Sequence, residues 1–325
     1  MQEFAFVQPN SPQDAITAAS ATGAKYIAGG TDLLQLMKDN VETPTQLVDL
    51  EPVGMTNIDA GPDGLRLGAM ARMSDVAAHH AVRQDWPVIS EALLASASPQ
   101  VRNMGTIGGN LLQRTRCGYF RDTGFACNKR EPGSGCPAIK GENRTLAILG
   151  GSEHCIATHP SDLAVALTAL DATVHLRGAD GTERQVPIGE FYRLPGDTPH
   201  IETDLRPGEL ITGVTVPRSA AARNSRYLKL RDRASFEFAL VSVAVAIDRT
   251  NGTIGDVRLA AGGVGTRPWR LTEVEAALHG KDLNDALMRQ AASLAGDGAK
   301  PARQNTFKHT LLRGAVLRVL QTSAA

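Results

Sequence analysis

The stretch AKYIAGGTDLLQLMKDN, residues 24–40, decides how the amino-terminal part of the chain folds. An apolar run passes through paired glycines into a segment with Leu33, Leu34, Leu36 and Met37 on repeating turns, which reads as strand, tight turn and helix. Upstream, AFVQP (5–9) is a short strand. SPQDAITAASATG (11–23) is a helix with Ser11 as its cap, Pro12 at the first helical position and Gly23 as its stop. Downstream, TQLVDL (45–50) gives a third strand. The order β-α-β-α-β predicts a small parallel sheet with right-handed crossovers.

From about residue 58 the pattern changes. GLRLGAM (64–70) reads as a strand, and MSDVAAHHAVRQDWPVISEALLASAS (73–98) as helical segments interrupted at Pro87. RTLAILG (144–150), CIAT (155–158) and TVHLRG (173–178) read as strands around a helix, PSDLAVALTALDA (160–172), in a mixed or antiparallel sheet. A boundary is expected in the Pro/Gly-bearing stretch 193–225. Beyond it, YLKLRDR (227–233) and ALVSVAVAIDR (239–249) are strands, and Asn251-Gly252 turns the second into TIGDVRLAAGG (253–263) as a hairpin. The last helix sets Phe307, Leu311, Ala315 and Val319 in one column beside Leu312, Val316 and Leu320. The expected class is α+β (mixed α/β) in three units, 1–57, 58–217 and 218–325, with an insertion at about 114–156 inside the second.

A chain of 325 residues exceeds what one core usually serves. Basic and acidic residues balance at 34 each, which gives no reason to expect nucleic acid or a membrane surface as partner. No apolar run is long enough to span a bilayer. The first residues hold an acid at position 3 and no apolar stretch, so they do not read as a secretory signal. A cytoplasmic protein is expected, or one carried folded by a partner that bears the address.

Candidate binding elements begin with IAGGTDLL (27–34), where main-chain N–H groups after Gly29 and Gly30 suit a phosphate or pyrophosphate. The loop is neither GxGxxG nor a P-loop, and a tight turn that needs glycine explains it equally well. A second loop, VRNMGTIGGNLLQ (101–113), carries Thr106, Gly108, Gly109 and Asn110 beside Arg102 and Asn103. Two such loops suit a single dinucleotide diphosphate clasped between subdomains. Ser161 and Asp162 stand at a helix start, where capping is the plainer reading and a hold on ribose or ribityl hydroxyls the functional one.

All four cysteines fall within residues 117–155, spaced Cys117-x9-Cys127-x8-Cys136-x18-Cys155. Disulfides are unnecessary in a chain with this much core. A zinc site usually closes with short Cys-x2–4-Cys knuckles, which are missing. An iron–sulfur cluster tolerates irregular loops, and Arg114, Arg116, Arg121, Lys129 and Arg130 could offset its negative charge. The residues themselves leave cluster, zinc and neither open. Histidines 79, 80, 154 and 159 show no metal-binding spacing, and RDR (231–233) reads as a salt-bridged strand edge. No nucleophile elbow or carboxylate pair is present, so hydrolysis is not expected and no side chain is singled out as catalytic.

Five motifs then occur together in order: YIAGGTDLL (26–34), QVRNMGTIGGNLLQ (100–113), CIATHPSDLAVAL (155–167), PGELITGVTVP (207–217) and YLKLRDRASFEFALVSVAVAI (227–247). Over essentially its whole length the chain resembles the FAD-binding subunit of the xanthine dehydrogenase family of molybdenum hydroxylases. The resemblance implies a two-subdomain FAD-binding fold of the PCMH type, followed by a sheet-and-helix domain like that of CO dehydrogenase flavoproteins. It implies FAD contacts from Lys25, Tyr26, Ile27, Ala28, Gly29, Gly30, Thr31, Asp32 and Leu33, and from Thr106, Gly109 and Asn110. Asp162 falls by the ribityl or ribose region, and Ile211 and Lys229 by the isoalloxazine ring. Without the resemblance, those last two read as a core residue and a solvated surface cation. The family's first loop often reads Ala-Gly-Gly-His-Ser; Thr31-Asp32 here changes the side chains but not the backbone cradle.

Most such subunits lack the cysteine insertion. The chain resembles the subset, aldehyde-oxidising members among them, that carries a [4Fe–4S] cluster there, which makes Cys117, Cys127, Cys136 and Cys155 its ligands. The implied complex has a large subunit whose molybdenum cofactor converts aldehydes to carboxylic acids and a small subunit with two [2Fe–2S] clusters. Electrons collect on FAD in this chain before passing to an external acceptor, and similarity places the complex in the periplasm. The competing expectations are a purine dehydrogenase or hydroxybenzoyl-CoA-reductase-like complex, and a zinc-stabilised nucleotide-binding module that is no enzyme.

Overall fold

A computed structural model describes residues 1–324. The amino-terminal reading holds. Strands Ala5–Val7, Ala24–Ile27 and Gln46–Asp49 form a parallel sheet with the third strand in the middle. Ser11 caps helix Pro12–Ala19 by accepting from Asp14 N at 3.1 Å, and helix Leu33–Lys38 follows the glycine turn. Ile16 and Val48 close a small core that also takes in Met70 and Leu210, so this layer leans on the next sheet.

The second sheet has five strands, all antiparallel, in the spatial order Ile58–Gly61, Gly64–Gly68, Leu210–Val216, Thr173–Arg177, Glu183–Pro187. Its edge strand Ile58–Gly61 escaped the sequence reading because IDAG offers little apolar alternation. Helices Met73–Ala78, His80–Asp85 and Pro87–Ala95 cover it, with breaks at Pro87, as expected, and also at extended His79.

The third sheet runs Trp269–Arg270, Thr253–Gly262, Val241–Thr250, Ser225–Leu230, and Asn251-Gly252 makes the expected turn with both residues at positive φ. Its long strand alternates large and small residues, and the two faces serve different cores. Val241, Val243, Val245 and Ile247 pack with Leu312, Val316 and Leu320 of helix Phe307–Ala324. Ala244, Ala246 and Ala260 face the core that holds helix Asp162–Ala169. Approach there is close, since a Cβ on Gly262 would lie 2.5 Å from Val165 Cγ2. The apolar face of the last helix is as read, but fully buried Lys308 shares it.

The segments 144–150 and 155–158, read as strands, are not strands. Their apolar residues are buried by loop packing: Ala147 N bonds Ile156 O at 2.9 Å, and Ile148 N and Leu149 N both turn to Val264 O. Likewise, strand Ser225–Leu230 ends before the RDR triplet, which forms a bend; Asp232 pairs with Arg144 at 2.8 Å and Arg233 with Glu237 at 3.4 Å. Among the described residues no helix is long and apolar enough to cross a membrane.

Candidate functional site: a glycine cradle beside a pocket of four thiols

The two glycine loops meet. A Cβ on Gly29 would fall 1.9 Å from the carbonyl oxygen of Met104, so only glycine lets the first loop lie against the second. Gly30 follows in the left-handed region at φ 68°. The second loop is shorter than it reads: Thr106 caps a helical turn, Ile107–Leu111, and accepts from Gly109 N at 3.2 Å. Gly108 N donates to Ala69 O at 2.8 Å, and Ala69 N donates to Thr212 O at 3.1 Å, which ties the cradle to the strand carrying Ile211. Beside the cradle, the buried Tyr26 hydroxyl has no partner among the described residues, and burial pushes its pKa up to about 12. A trough of main-chain groups with one unmatched hydroxyl fits a diphosphate-bearing cofactor.

Asp162 forms a second node. Ser161 caps its helix, accepting from Ala164 N at 3.0 Å while donating to Asn110 Oδ1 at 2.5 Å. The Asp162 carboxylate, 6% exposed, accepts from Ser96 Oγ at 2.9 Å, Tyr227 Oη at 2.6 Å and Lys229 Nζ at 2.8 Å. Lys229 also donates to Ala95 O at 3.1 Å. Its side chain is 4% exposed, so the reading as a solvated surface cation is wrong. The ammonium is desolvated and matched by a carboxylate and a carbonyl. Thr106, Gly109, Asn110, Asp162 and Lys229 are thereby linked, and Ile211 is buried on strand Leu210–Val216, which Ala69 ties to the second loop. Ser96 and Tyr227 belong to this node and were missed, Ser96 because it stands in no motif and Tyr227 because it reads as an ordinary strand residue at the start of one.

The thiols also come together. Cys117, Cys127, Cys136 and Cys155 line one small cavity with Phe120, Asn128, Lys129 and His154. All four are free of disulfides, and all but Cys136 are buried. Main-chain N–H groups point at the sulfurs: Phe120 and Tyr119 toward Cys117, Ala138, Ile139 and Ile156 toward Cys136, and Ala157 toward Cys155 at 3.5 Å. Burial raises the pKa values of Cys117 and Cys136, and that of Cys155 to about 11, with Lys129 opposing at Cys155. Among the described residues no group of three or more acidic, histidine or cysteine side chains is set to hold a single metal ion. One zinc would need its sulfurs about 3.8 Å apart, given a 2.3 Å bond and tetrahedral angles. Four thiols on one cavity, with main-chain N–H groups near the sulfurs, make a donor set fit for a thiolate-ligated group.

The surrounding cations do not serve as expected. Arg114 pairs with Glu42 and with Glu202 at 2.7 Å, and Lys129 with Glu202 at 3.3 Å. Arg116 and Arg121 both pair with Asp32, at 3.0 and 2.7 Å, and Arg130 donates to the carbonyls of Tyr119 and Phe120. Their charge is matched by carboxylates and carbonyls, so the arginines shape the loop, while Lys129 also favours the thiolate of Cys155. Beside it opens a cleft of 220 Å³ that shares Cys155 and Lys129 with the thiol cavity. There His159 is buried against Tyr192, and burial lowers its pKa to about 4. His154 is half exposed and 3.4 Å from Asp197, a surface histidine.

Residues 2–219 match the FAD binding domain in molybdopterin dehydrogenase, and residues 226–323 match the CO dehydrogenase flavoprotein C-terminal domain. The chain belongs to the FAD-binding subunits of the molybdenum hydroxylases. This flavoprotein subunit is 49% identical to the aldehyde oxidoreductase FAD-binding subunit PaoB of Escherichia coli K12, over 100% of this chain and 99% of that one. It is 30% identical to the glyceraldehyde dehydrogenase medium chain of Sulfolobus acidocaldarius, over 92% and 89%. The carbon monoxide dehydrogenase of Hydrogenophaga pseudoflava, solved without the Mo-pyranopterin moiety of its molybdenum cofactor, shares the fold. Its TM-score is 0.76 at 25% identity, over 99% of this chain and 98% of that one. The flavoprotein subunit is therefore part of an oxidoreductase of the aldehyde oxidoreductase and dehydrogenase group, and the mixed α/β class and carboxyl-terminal domain type are as the sequence implied.

Proposed function

We propose that this chain is the FAD- and [4Fe–4S]-carrying electron-transfer subunit of a molybdenum-dependent aldehyde oxidoreductase. The observation that carries the cluster is the convergence of four irregularly spaced cysteines on one cavity ringed by N–H groups. The 49% identity to an aldehyde oxidoreductase subunit supports the substrate class ahead of a purine or a benzoyl-CoA. The cysteine spacing, with no short Cys-x2–4-Cys knuckle, counts against a zinc module.

Bound FAD supplies two-electron storage with one-electron entry, and an iron–sulfur group supplies one-electron exchange. Lys25–Leu33 would hold the diphosphate, chiefly through the main-chain N–H groups of the glycine turn, against the helical turn of Thr106, Gly109 and Asn110, whose Gly109 and Asn110 N–H groups are bonded within the turn. Asp162 would hold ribityl or ribose hydroxyls, and Ile211 and Lys229 would flank the isoalloxazine ring, the lysine placing a positive charge beside it. Cys117, Cys127, Cys136 and Cys155 would ligate the iron. The chain has no residue of its own for aldehyde hydroxylation, so it acts with a large molybdenum-cofactor subunit and a small [2Fe–2S] subunit, from which electrons arrive on their way to an external acceptor. We extend the proposal to place: a complex that works in the periplasm, exported folded on the signal of a partner.

The test is an absorbance spectrum of anaerobically purified complex, with flavin, iron and zinc assayed on the same sample. One FAD and about four irons bound to this chain are expected. Colourless protein with one zinc would overturn the reading. Cell fractionation tests the location, and recovery of the complex only in the cytoplasm rejects it.

A further inference from the structure

Asp32 departs from the usual first loop of this family, and its surroundings show what it does. Its main chain belongs to the cradle, capping helix Leu33–Lys38, yet its side chain caps nothing. The carboxylate, 16% exposed, reaches across to the arm that carries Cys117. Oδ2 accepts from Arg114 N at 2.8 Å, and Oδ1 takes Arg121 at 2.7 Å and Arg116 at 3.0 Å. The two guanidiniums are themselves held. Arg121 donates to Thr115 O at 3.0 Å, while Arg116 donates to Gln35 at 2.8 Å and stacks on Phe238 of the carboxyl-terminal domain. One carboxylate therefore fixes a main-chain N–H and two side chains within four residues of Cys117, and does so from the loop that cradles the cofactor.

We propose that Asp32 is a positioning residue that couples flavin binding to the closure of the thiol pocket. Ordering of the cradle by FAD holds the Asp32 carboxylate in place, and the carboxylate holds residues 114–121 so that Cys117 faces its three partners. By linkage the coupling is reciprocal, so an ordered thiol pocket also tightens flavin binding. Part of this rests on the cluster reading above, and the experiment separates the two.

The experiment uses the full chain, freed of iron and flavin and refilled with FAD alone, and follows iodoacetamide labelling of Cys117 by mass spectrometry. FAD should slow labelling of the wild type at least about fivefold. In Arg116→Gln/Arg121→Gln, which leaves the cradle sequence untouched, FAD should still bind, but its protection of Cys117 should fall to less than about twofold. At saturating FAD, Asp32→Ala should lose the protection too, and Asp32→Asn, which keeps an acceptor for Arg114 N–H, should retain part of it. If the arginine double variant binds FAD and protects Cys117 as well as the wild type does, the proposal fails. It fails too if Asp32→Ala loses FAD while the arginine variant stays normal, because Asp32 is then a flavin ligand alone. None of these readouts needs iron. A complex found to hold no cluster would overturn the cluster reading and leave this test standing.

Discussion

The ammonium of Lys308 donates to the carbonyl oxygen of Gly263 at 2.7 Å, from a side chain with no exposed surface. It also donates to Thr145 O at 2.7 Å and Leu146 O at 3.0 Å, and none of its hydrogen-bond partners is a carboxylate. Lys308→Met would leave the carbonyls of Thr145 and Gly263 unpaired while keeping the volume, whereas Leu146 O keeps its bond from Asn305 Nδ2. Each unpaired group costs about 1–3 kcal/mol, so a fall in the thermal midpoint of several degrees is expected by calorimetry.

The same lysine sets a pH dependence. Burial, helped by Arg144, lowers its pKa from 10.5 to about 7. The folded state then holds the proton more weakly than the unfolded chain, so stability rises as pH goes from about 7 towards 10.5 and is flat below that window. Urea unfolding at several pH values should show this slope in the wild type and lose it in Lys308→Met; an unchanged slope would clear Lys308 of the effect.

Asp162 and Lys229 stand as a buried pair at 2.8 Å. Removing one partner strands the other, at a cost of about 3–5 kcal/mol, whereas removing both costs less. Lys229→Met should therefore destabilise more than Asp162→Asn/Lys229→Met. Flavin content, read by fluorescence after denaturation, should fall in both.

Gly29→Ala puts a Cβ 1.9 Å from Met104 O, a main-chain atom that must move. The loops separate, and FAD retention after gel filtration should drop at least about tenfold through misplacement alone. Gly118, whose added Cβ would meet nothing within 4 Å, is the control, and Gly118→Ala should keep its flavin.

Cys127→Ser should lose iron and the broad visible absorbance of a cluster while keeping one FAD, because the cradle contains no thiol. Coupling through Asp32 weakens flavin binding without abolishing it, so only complete loss of flavin together with iron would contradict the separateness of the two sites.

The frame of the fold was legible from local chemistry. Ser11 and Pro12 start a helix, Asn251-Gly252 turns a hairpin, and Val/Ala alternation from Val241 to Ile247 builds a strand with two different faces. Misreadings arose where apolar residues are buried without a ladder. Leu146 to Leu149 looks like a strand but is covered by the thiol pocket on one side and the Val264 loop on the other. In the site, glycines and cysteines were readable because their chemistry is peculiar to the residue type. Ser96, Tyr227 and Lys308 were not, nor was the hold of Asp32 on the arginines, since these roles depend on partners dozens of positions distant, and a lysine among leucines gives no sign of three waiting carbonyls.

The hold of Lys308 on Thr145 spans 163 positions, and Gln304 and Asn305 make similar long reaches to Asn143 and Leu146. A nascent chain leaves the ribosome amino end first. The wall behind the cysteines is therefore latched by residues 159 to 163 positions downstream, so the pocket stays ajar until the helix Phe307–Ala324 has been made.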